Sequence, residues 1–286
     1  MSDQHRSRDQ RREVARELAR RERERAERRR RLLRILVPII VVVVLVGAGT
    51  GVAVAVAVAS NRPAPSTSAG PANMITGGIQ FTGEGGRFTV VKTAGLRKGQ
   101  RPEPVATSNA DRVPRIVTYI DFSCPGCKAF EAANSGYLKK LVADGRATLE
   151  VHPIAILDTH YQTSRYSSRA NNVGACVADL APDRFYDVMH EMYAEQPEES
   201  TAGLTNDRLV AVVHQAGLND PAVDRCIQGE RFRKFVAAQT QAAGQDPTLR
   251  NPRDGGFYTP TILINGRYYT GAADNASFSS YIASLH

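Results

Sequence analysis

Residues 115–127 have the sequence RIVTYIDFSCPGC, in which a strand-like run leads directly into a pair of cysteines. The β-branched and aromatic run from Arg115 to Phe122 has little charge in its middle and is typical of a buried strand. Lys128 to Val142 then predicts a helix, and Ala147 to His152 predicts a second strand. A strand, a helix and a strand in this order form a βαβ unit with parallel strands.

The segment Cys124-Pro125-Gly126-Cys127 lies where the first strand ends and the helix begins. The unpaired amide groups and the positive end of a helix stabilise a thiolate at this position. Pro125 suits the first helical turn because it has no amide proton there to leave unpaired. We therefore predict that Cys124 and Cys127 form a catalytic, redox-active pair. Cys124 is the reactive thiolate, and Cys127, one turn further along the helix, is the buried resolving thiol.

Two cysteines separated by two residues also occur in other kinds of site. Half of a zinc site is one alternative, but Cys176 and Cys226 do not form a second such pair, and no two histidines have ligand spacing. Residue 128 is Lys, not His, which excludes covalent haem attachment. A purely structural disulfide across so short a loop would be strained and easily reduced. Redox catalysis is the favoured interpretation, and we predict neither a metal nor a cofactor.

The remaining segments place this pair in a larger α/β domain. Phe88 to Lys92 predicts an N-terminal strand or hairpin, and residues 160–245 are helical in pattern throughout. Tyr258 to Tyr269 returns to strand character around Asn265-Gly266, which is a strong hairpin signal. A last helix is predicted from about Asn275 to Leu285. Four apolar residues recur at helical spacing and indicate a core face rather than a peptide groove: Phe185, Met189, Met192 and Tyr193.

The net charge of +8 in this chain of 286 residues is concentrated at its N-terminus. Residues 1–34 contain 14 Arg and 7 acidic residues, whereas the rest of the chain contains 23 basic and 22 acidic residues. The composition, 42% hydrophobic and 23% charged, is that of a globular protein. Because the chain beyond residue 34 is nearly neutral, the net charge gives no support to nucleic-acid binding by the folded part.

An uncharged run separates the basic tail, residues 1–34, from the domain. Residues 35–59 are long enough to cross a hydrocarbon layer of about 30 Å as a helix, and the Arg-rich side is expected to stay in the cytoplasm. A signal peptide cleaved after residues 57–59 is the alternative, and it leads to the same compartment. We predict a flexible linker at 60–78 and an extracytoplasmic domain at 79–286, on a single-pass cell-membrane protein.

Residues 121–127, the helical segment and Thr259-Pro260-Thr261 together resemble the DsbA family of thioredoxin-fold disulfide oxidoreductases. More narrowly, the sequence is similar to the membrane-anchored DsbA-like proteins of actinobacteria, from about Phe88 to Leu285. The resemblance implies an α/β thioredoxin fold, with a central mixed sheet flanked by helices, an inserted helical subdomain at about 160–245 and one preceding transmembrane helix. It also implies that Pro260 is cis and lies against the cysteines, so that the Thr259 backbone is free to pair with an extended substrate.

The sequence departs from the family's pattern at two positions. Gly126 stands where these enzymes often carry a histidine that makes the disulfide strongly oxidising. Thr118 stands six residues before Cys124, where thioredoxin and its relatives commonly hold a buried acid. Asp121, or Glu150 on the next strand, is a candidate for the missing proton acceptor. A solvated or salt-bridged carboxylate is an equally good interpretation of either residue.

Cys176 and Cys226 lie 50 residues apart in the helical segment. In an oxidising compartment an even number of cysteines indicates disulfides, and we predict a structural bridge between these two. Such a bridge stabilises the fold by about 4 kcal/mol in the chain-entropy model. The alternative is a redox relay with Cys127.

These inferences combine into a prediction of function. We expect a membrane-tethered thiol–disulfide oxidoreductase that donates disulfides to reduced secreted proteins. The resemblance implies that a quinone-linked membrane enzyme, of the vitamin K epoxide reductase or DsbB type, reoxidises it. The alternatives are a thiol reductase or isomerase of the cell envelope, and a thioredoxin-fold module that binds peptides without turnover.

Overall fold

The computed structural model describes residues 66–102, 105 and 112–285. The strands within these ranges are β1 (Ile79–Glu84), β2 (Arg87–Val90), β3 (Arg115–Ile120), β4 (Thr148–Pro153), β5 (Thr261–Ile264) and β6 (Arg267–Tyr268). The helices are α1 (Pro125–Ala143), α2 (Tyr166–Leu180), α3 (Phe185–Ala194), α4 (Asn206–Gln215), α5 (Pro221–Gln228), α6 (Arg233–Gln245) and α7 (Asn275–Ala283). Three short 3₁₀ turns connect some of them: Asp158–His160, Pro182–Arg184 and Pro247–Leu249.

The strands form one mixed sheet in the order β2-β1-β4-β3-β5-β6. β3 and β4 are parallel, as the βαβ pattern predicts, and every other neighbouring pair is antiparallel. β3 is therefore an interior strand, and the chain leaves its carboxyl end directly into the cysteine segment. The predicted central mixed sheet with flanking helices is confirmed.

Alternate residues of β3 point to opposite faces of the sheet and into two apolar clusters. Ile116 and Ile120 belong to the larger cluster, together with Phe130 of α1. Val117 belongs to a smaller cluster on the other face, which includes Ala243 of α6. Because both faces of β3 are covered, the cysteine segment is held at the end of a rigid, buried strand.

The helical segment between β4 and β5 consists of α2 to α6, separated by turns and by the loop before α4. The side chain of Thr205 caps α4 by accepting a hydrogen bond from the Arg208 amide. The predicted core stripe is confirmed, because Phe185, Met189, Met192 and Tyr193 are all buried. These helices occupy the stretch, about 160–245, to which the family resemblance assigns an inserted helical subdomain.

Hairpins form both ends of the sheet. Asn265 and Gly266 have φ angles of 51° and 75°, as a tight turn with two left-handed residues requires, and they join β5 to β6 as predicted. The N-terminal hairpin is longer than expected. It begins at Ile79 and turns at Gly85-Gly86, so that the strand near Phe88 is its second arm.

The described part of the predicted linker, from Ser66 onward, is packed on the domain. Met74 is fully buried, and the Asn73 side chain donates a 2.8 Å hydrogen bond to the carbonyl of Ala178 in α2. This arrangement differs from the flexible linker expected up to Gly78, because an apolar side chain anchors the segment. The predicted tail at 1–34 and the predicted anchor at 35–59 lie outside the described residues. None of the helices in the described ranges has the length and hydrophobicity needed to cross a membrane.

Candidate active site

The cysteine segment forms the beginning of α1. Cys124 is the N-cap residue with extended backbone angles, and Pro125 occupies the first turn. The Cys124 sulfur accepts a hydrogen bond from the Cys127 amide at 3.4 Å. An amide that would otherwise be unpaired at the helix start thus points at the sulfur, which is the arrangement that stabilises a thiolate.

The Thr259–Pro260 peptide bond is cis and lies against the same sulfur. The Cys124 thiol donates to the Thr259 carbonyl at 3.1 Å. A Cβ atom added to Gly126 would lie 3.4 Å from the Pro260 Cδ atom, so these two loops are in contact. The structure therefore brings together the four residues that the sequence analysis assigns to catalysis and substrate binding: Cys124, Cys127, Thr259 and Pro260.

The two thiols have opposite electrostatic environments. A hydrogen bond from the Cys127 thiol is the largest effect on Cys124. Together with the Thr259 side chain and the Cys127 amide, it outweighs burial and lowers the pKa of Cys124 to about 6. Burial is the main reason that the pKa of Cys127 is raised well above its usual value, and its proximity to Cys124 adds to that rise. Both cysteines are free thiols in this structure, with 6% of Cys124 and 2% of Cys127 exposed.

Asp121 is completely buried just before the cysteine segment. Its carboxylate accepts six hydrogen bonds of 2.6–3.2 Å, from the amides of Ser123, Ile156 and Leu157, the hydroxyls of Ser123 and Ser167, and the Asn171 side chain. Burial raises its pKa, and these donors oppose that rise. With both oxygens fully engaged, Asp121 is suited to fixing the turn that carries Cys124.

Glu150 is also buried, and it lies in an ion-pair cluster. Arg115 contacts its carboxylate at 2.6 Å and His152 at 2.8 Å, while Gln80 donates to it at 3.1 Å. Although burial alone would raise the pKa of Glu150, His152 and Arg115 hold it well below its usual range. Glu150 therefore has the salt-bridged form that the sequence analysis left open.

Two residues of the insert hold the cysteine segment, and sequence reasoning did not find them. Gln196, just after α3, donates to the carbonyls of Phe122 and Cys124 at 2.8 and 3.1 Å. The Tyr161 hydroxyl donates to the Ser123 carbonyl at 3.0 Å. These contacts join residues that lie far apart in sequence, and no local pattern around Gln196 or Tyr161 indicates them.

The other two cysteines are joined by a disulfide bond. Cys176 lies in α2 and Cys226 in α5, with their Cα atoms 5.8 Å apart. The bond closes the helical insert on itself, as expected of a structural bridge.

Comparisons with known proteins agree with this geometry. The family model described as thioredoxin matches residues 105–284. DsbA from Mycobacterium tuberculosis in its reduced form is 28% identical with a TM-score of 0.50, over 64% of this chain and 86% of that chain. A disulfide bond oxidoreductase of the same organism, DsbG, is 26% identical with a TM-score of 0.51, over 64% and 81%.

A more distant structure shares the fold. The thiol-disulfide oxidoreductase MdbA from Actinomyces oris has a TM-score of 0.51 at 19% identity, over 63% of this chain and 84% of that chain. A comparison with curated proteins found no match. The family model covers more than half of the sequence, including Cys124 and Cys127, and the reduced DsbA structure aligns over 64% of this chain. The chain therefore belongs to the thioredoxin family, as a DsbA-like oxidoreductase.

Proposed function

We propose that this protein donates disulfides to reduced secreted proteins through Cys124 and Cys127. The observation that carries the proposal is the Cys124 thiol, whose pKa is lowered to about 6 beside a buried partner and a cis proline. A depressed thiol pKa stabilises the reduced pair, and an enzyme with a stable reduced form is a good oxidant.

The reaction is a thiol–disulfide exchange in two steps. A substrate thiolate attacks the Cys124 sulfur of the oxidised pair, the bond to Cys127 breaks, and its electron pair leaves on the Cys127 sulfur. A second substrate thiolate then attacks the substrate sulfur of the mixed disulfide and releases Cys124 as a thiolate. The substrate has lost two electrons, and the enzyme holds a reduced pair.

A groove beside the site supports substrate binding. It has a volume of about 210 Å³, and its lining includes Phe130, Pro260, Tyr268 and Tyr269. Aromatic side chains next to the cis proline provide apolar contact area for an unfolded segment. The backbone of Thr259, two residues before β5, would pair with that segment as an added strand.

The cellular setting belongs to the same proposal. Residues 35–59 would tether the domain to the outer face of the cell membrane, and a quinone-linked membrane enzyme would reoxidise the cysteine pair. Deleting residues 35–59 is expected to move the protein from the membrane fraction to the soluble fraction. Loss of the reoxidising enzyme is expected to leave Cys124 reduced in cells, which thiol trapping detects.

Equilibration of the full-length chain with glutathione, followed by thiol trapping, tests the direction of the reaction. A reduction potential near or above about −180 mV supports disulfide donation, whereas a value near about −270 mV places the protein with thioredoxin-like reductants. The reductase alternative has one specific observation in its favour, the glycine at position 126 between the cysteines.

Insulin reduction by the wild type and by Cys124→Ser separates an enzyme from a binding module. The wild type is expected to be active and the variant inactive. Equal inactivity of both proteins would contradict the proposed enzyme function and favour the module.

A further inference from the structure

The segment that precedes the sheet is fixed to the domain along its length. Backbone hydrogen bonds of 2.7–2.9 Å join residues 66–73 to residues 93–100, and we call these two paired segments the strap. The amide of Ala72 donates to the Asp179 carboxylate in α2 at 2.8 Å. A Cβ atom added to Gly70 would lie 2.6 Å from the ring of Phe235 in α6, so the strap backbone lies directly on that ring.

The strap has a tight turn at residues 97–100, next to Ser66. The Gln100 amide donates to the Arg97 carbonyl at 2.9 Å, and Gly99 has a φ angle of 82°, as the second central residue of a type II turn requires. The Gly99 amide donates to the Ser66 carbonyl at 2.8 Å. Arg97 and Lys98 thus occupy the corner of a turn that is held against the first described residue of the strap.

This corner carries positive charge that the described part of the chain does not neutralise. Arg97 and Lys98 are exposed, and neither forms an ion pair with a residue in the described ranges. Two acidic side chains that border the strap are each paired with another cation: Asp179 with Arg231 at 3.2 Å and Asp183 with Lys92 at 2.8 Å. Because the chain beyond residue 34 has 23 basic and 22 acidic residues, this positive corner is a local feature.

Helix α2 separates the strap from the cysteine site. Ser167, near the start of α2, donates to Asp121, which fixes the turn that carries Cys124. Asp179, near the end of α2, holds the strap. A rise of about 1.5 Å per residue places these two contacts about 18 Å apart along the helix. A partner bound at the strap turn would therefore leave the Cys124 sulfur uncovered.

The proposed anchor ends close to the strap in the sequence. Six residues, 60–65, connect residue 59 to Ser66. A chain of that length spans at most about 25 Å when it is fully extended. In an anchored protein the strap turn would thus stay within reach of the lipid headgroups.

We propose that the strap turn, through Arg97 and Lys98, binds the anionic headgroups of the membrane in which the chain is anchored. The guanidinium and ammonium groups donate to lipid phosphate oxygens, and the negative surface potential attracts both. Binding at this end of α2 holds the domain at the membrane and leaves Cys124 free to meet reduced chains. The inference rests on the anchor proposed at residues 35–59.

Reconstitution of the full-length chain into vesicles tests this contact. Vesicles of phosphatidylcholine alone are compared with vesicles in which about a third of the lipid is phosphatidylglycerol. A membrane-impermeant succinimidyl ester acylates exposed lysines, and mass spectrometry gives the rate at each one. Lys98 should react about fivefold more slowly in the anionic vesicles, because headgroups cover its ammonium group. Lys128, next to the cysteine pair, should react at the same rate in both.

Two variants check that charge causes the protection. Arg97→Gln removes one cation from the turn but keeps Lys98 as the reporter, and it should lose most of the protection. Arg267→Gln is the matched control, because Arg267 is exposed on β6, at the opposite edge of the sheet from β2. This control should behave as the wild type. Salt at about 0.5 M should abolish the wild-type protection, since it screens exposed charges.

Three results would overturn the inference. The first is equal acylation of Lys98 in both kinds of vesicle, in a chain that stays in the vesicle fraction at high salt. The second is wild-type protection in Arg97→Gln. The third is protection by free inorganic phosphate in neutral vesicles as strong as that by anionic lipid, which would indicate a small-anion site. A chain recovered apart from the vesicles would instead contradict the proposed anchor, and with it this inference, so the two failures are distinguishable.

Discussion

At the scale of single residues, the chemistry depends on how differently two nearby sulfurs are held. The Cys124 sulfur accepts a hydrogen bond from the Cys127 amide at the helix start, whereas Cys127 itself is buried. Both cysteines belong to one helical turn, so the difference between their pKa values comes from their surroundings. The fold thus divides one motif into a reactive thiolate and a protected thiol.

The first prediction concerns the reactivity of these sulfurs with pH. In the reduced protein the rate of alkylation by iodoacetamide should rise with a midpoint near pH 6, because the thiolate of Cys124 is the reacting form. Mass spectrometry should find the label on Cys124 and not on Cys127. A midpoint near pH 8.5, the value of an unperturbed thiol, would contradict the hydrogen-bonded thiolate.

The second prediction concerns residue 126. There is room for a Cβ atom, which would lie 3.4 Å from Pro260 Cδ and 3.6 Å from the Cys124 sulfur. Gly126→His should raise the reduction potential by about 30 mV or more, because an imidazole beside the thiolate stabilises the reduced form. Gly126→Ala, which adds the Cβ atom alone, should have a smaller effect. An unchanged potential in Gly126→His would show that this position does not set the redox balance.

At the scale of elements, the insert and the sheet are tied together around the cysteines. Gln196 follows α3 and holds the turn between β3 and α1. The bridge from Cys176 to Cys226 restrains α2 and α5 within the insert. The insert therefore contributes to the position of Cys124.

The third prediction addresses that bridge. Replacing both cysteines, in Cys176→Ala/Cys226→Ala, should lower the free energy of unfolding by about 4 kcal/mol, since the loop between them is no longer closed in the unfolded chain. Urea denaturation measures this change. Insulin reduction by the folded variant should continue, because Cys124 and Cys127 are untouched. Loss of that activity in a folded variant would favour the redox relay.

The elements that sequence predicts well are those with strong local signals. Strand β3 is β-branched, α1 begins at a proline, and Asn265-Gly266 has the residues of a tight turn. Strand β1 is not evident from the sequence, because Gln80 and Gly83 interrupt its apolar pattern. The two glycines at 85 and 86 are the one local signal of the turn that follows it.

The residues of the candidate site also fall into those that a local sequence pattern indicates and those that no local pattern indicates. The cysteine pair is evident from its motif, whereas no local pattern marks Asn171, a buried donor to Asp121, which lies 50 residues away. Glu131 sits on α1 with no sign of burial in its neighbours along the chain. It shares the lining of a small cavity with Tyr186, Met189 and Tyr193 of α3. Contacts of this range depend on the assembled fold, so local patterns do not contain them.

At the scale of the whole molecule, the charge state of Cys124 links redox state to stability. Its folded pKa is lowered to about 6, so the unfolded chain binds more protons at this thiol between about pH 6 and 9. The stabilisation is fully present above the unfolded pKa and is lost as the pH falls through about 6. The oxidised protein has no such thiol.

The fourth prediction follows from that linkage. Relative to the oxidised form, the Tm of the reduced form should fall when the pH is lowered from 8 to 5. Subtracting the oxidised form removes groups that titrate alike in both states. Thermal unfolding followed by circular dichroism measures both values. A Tm difference that does not change with pH would contradict the thiolate as the source of reduced-state stability.

Both edges of the sheet are short: β2 has four residues and β6 has two, and each includes an arginine. Long, flat, apolar edges act as templates onto which other chains aggregate, and brevity and charge suppress this. Short, charged sheet edges matter for a protein that, under the proposed function, would meet incompletely folded chains. Under the proposed function, such chains would lie extended beside the cis proline, and the short edges of the described sheet offer little other backbone with which they could pair. Because the sheet edges expose few backbone groups, the domain should also remain unassociated with other copies of itself when it is concentrated at a surface.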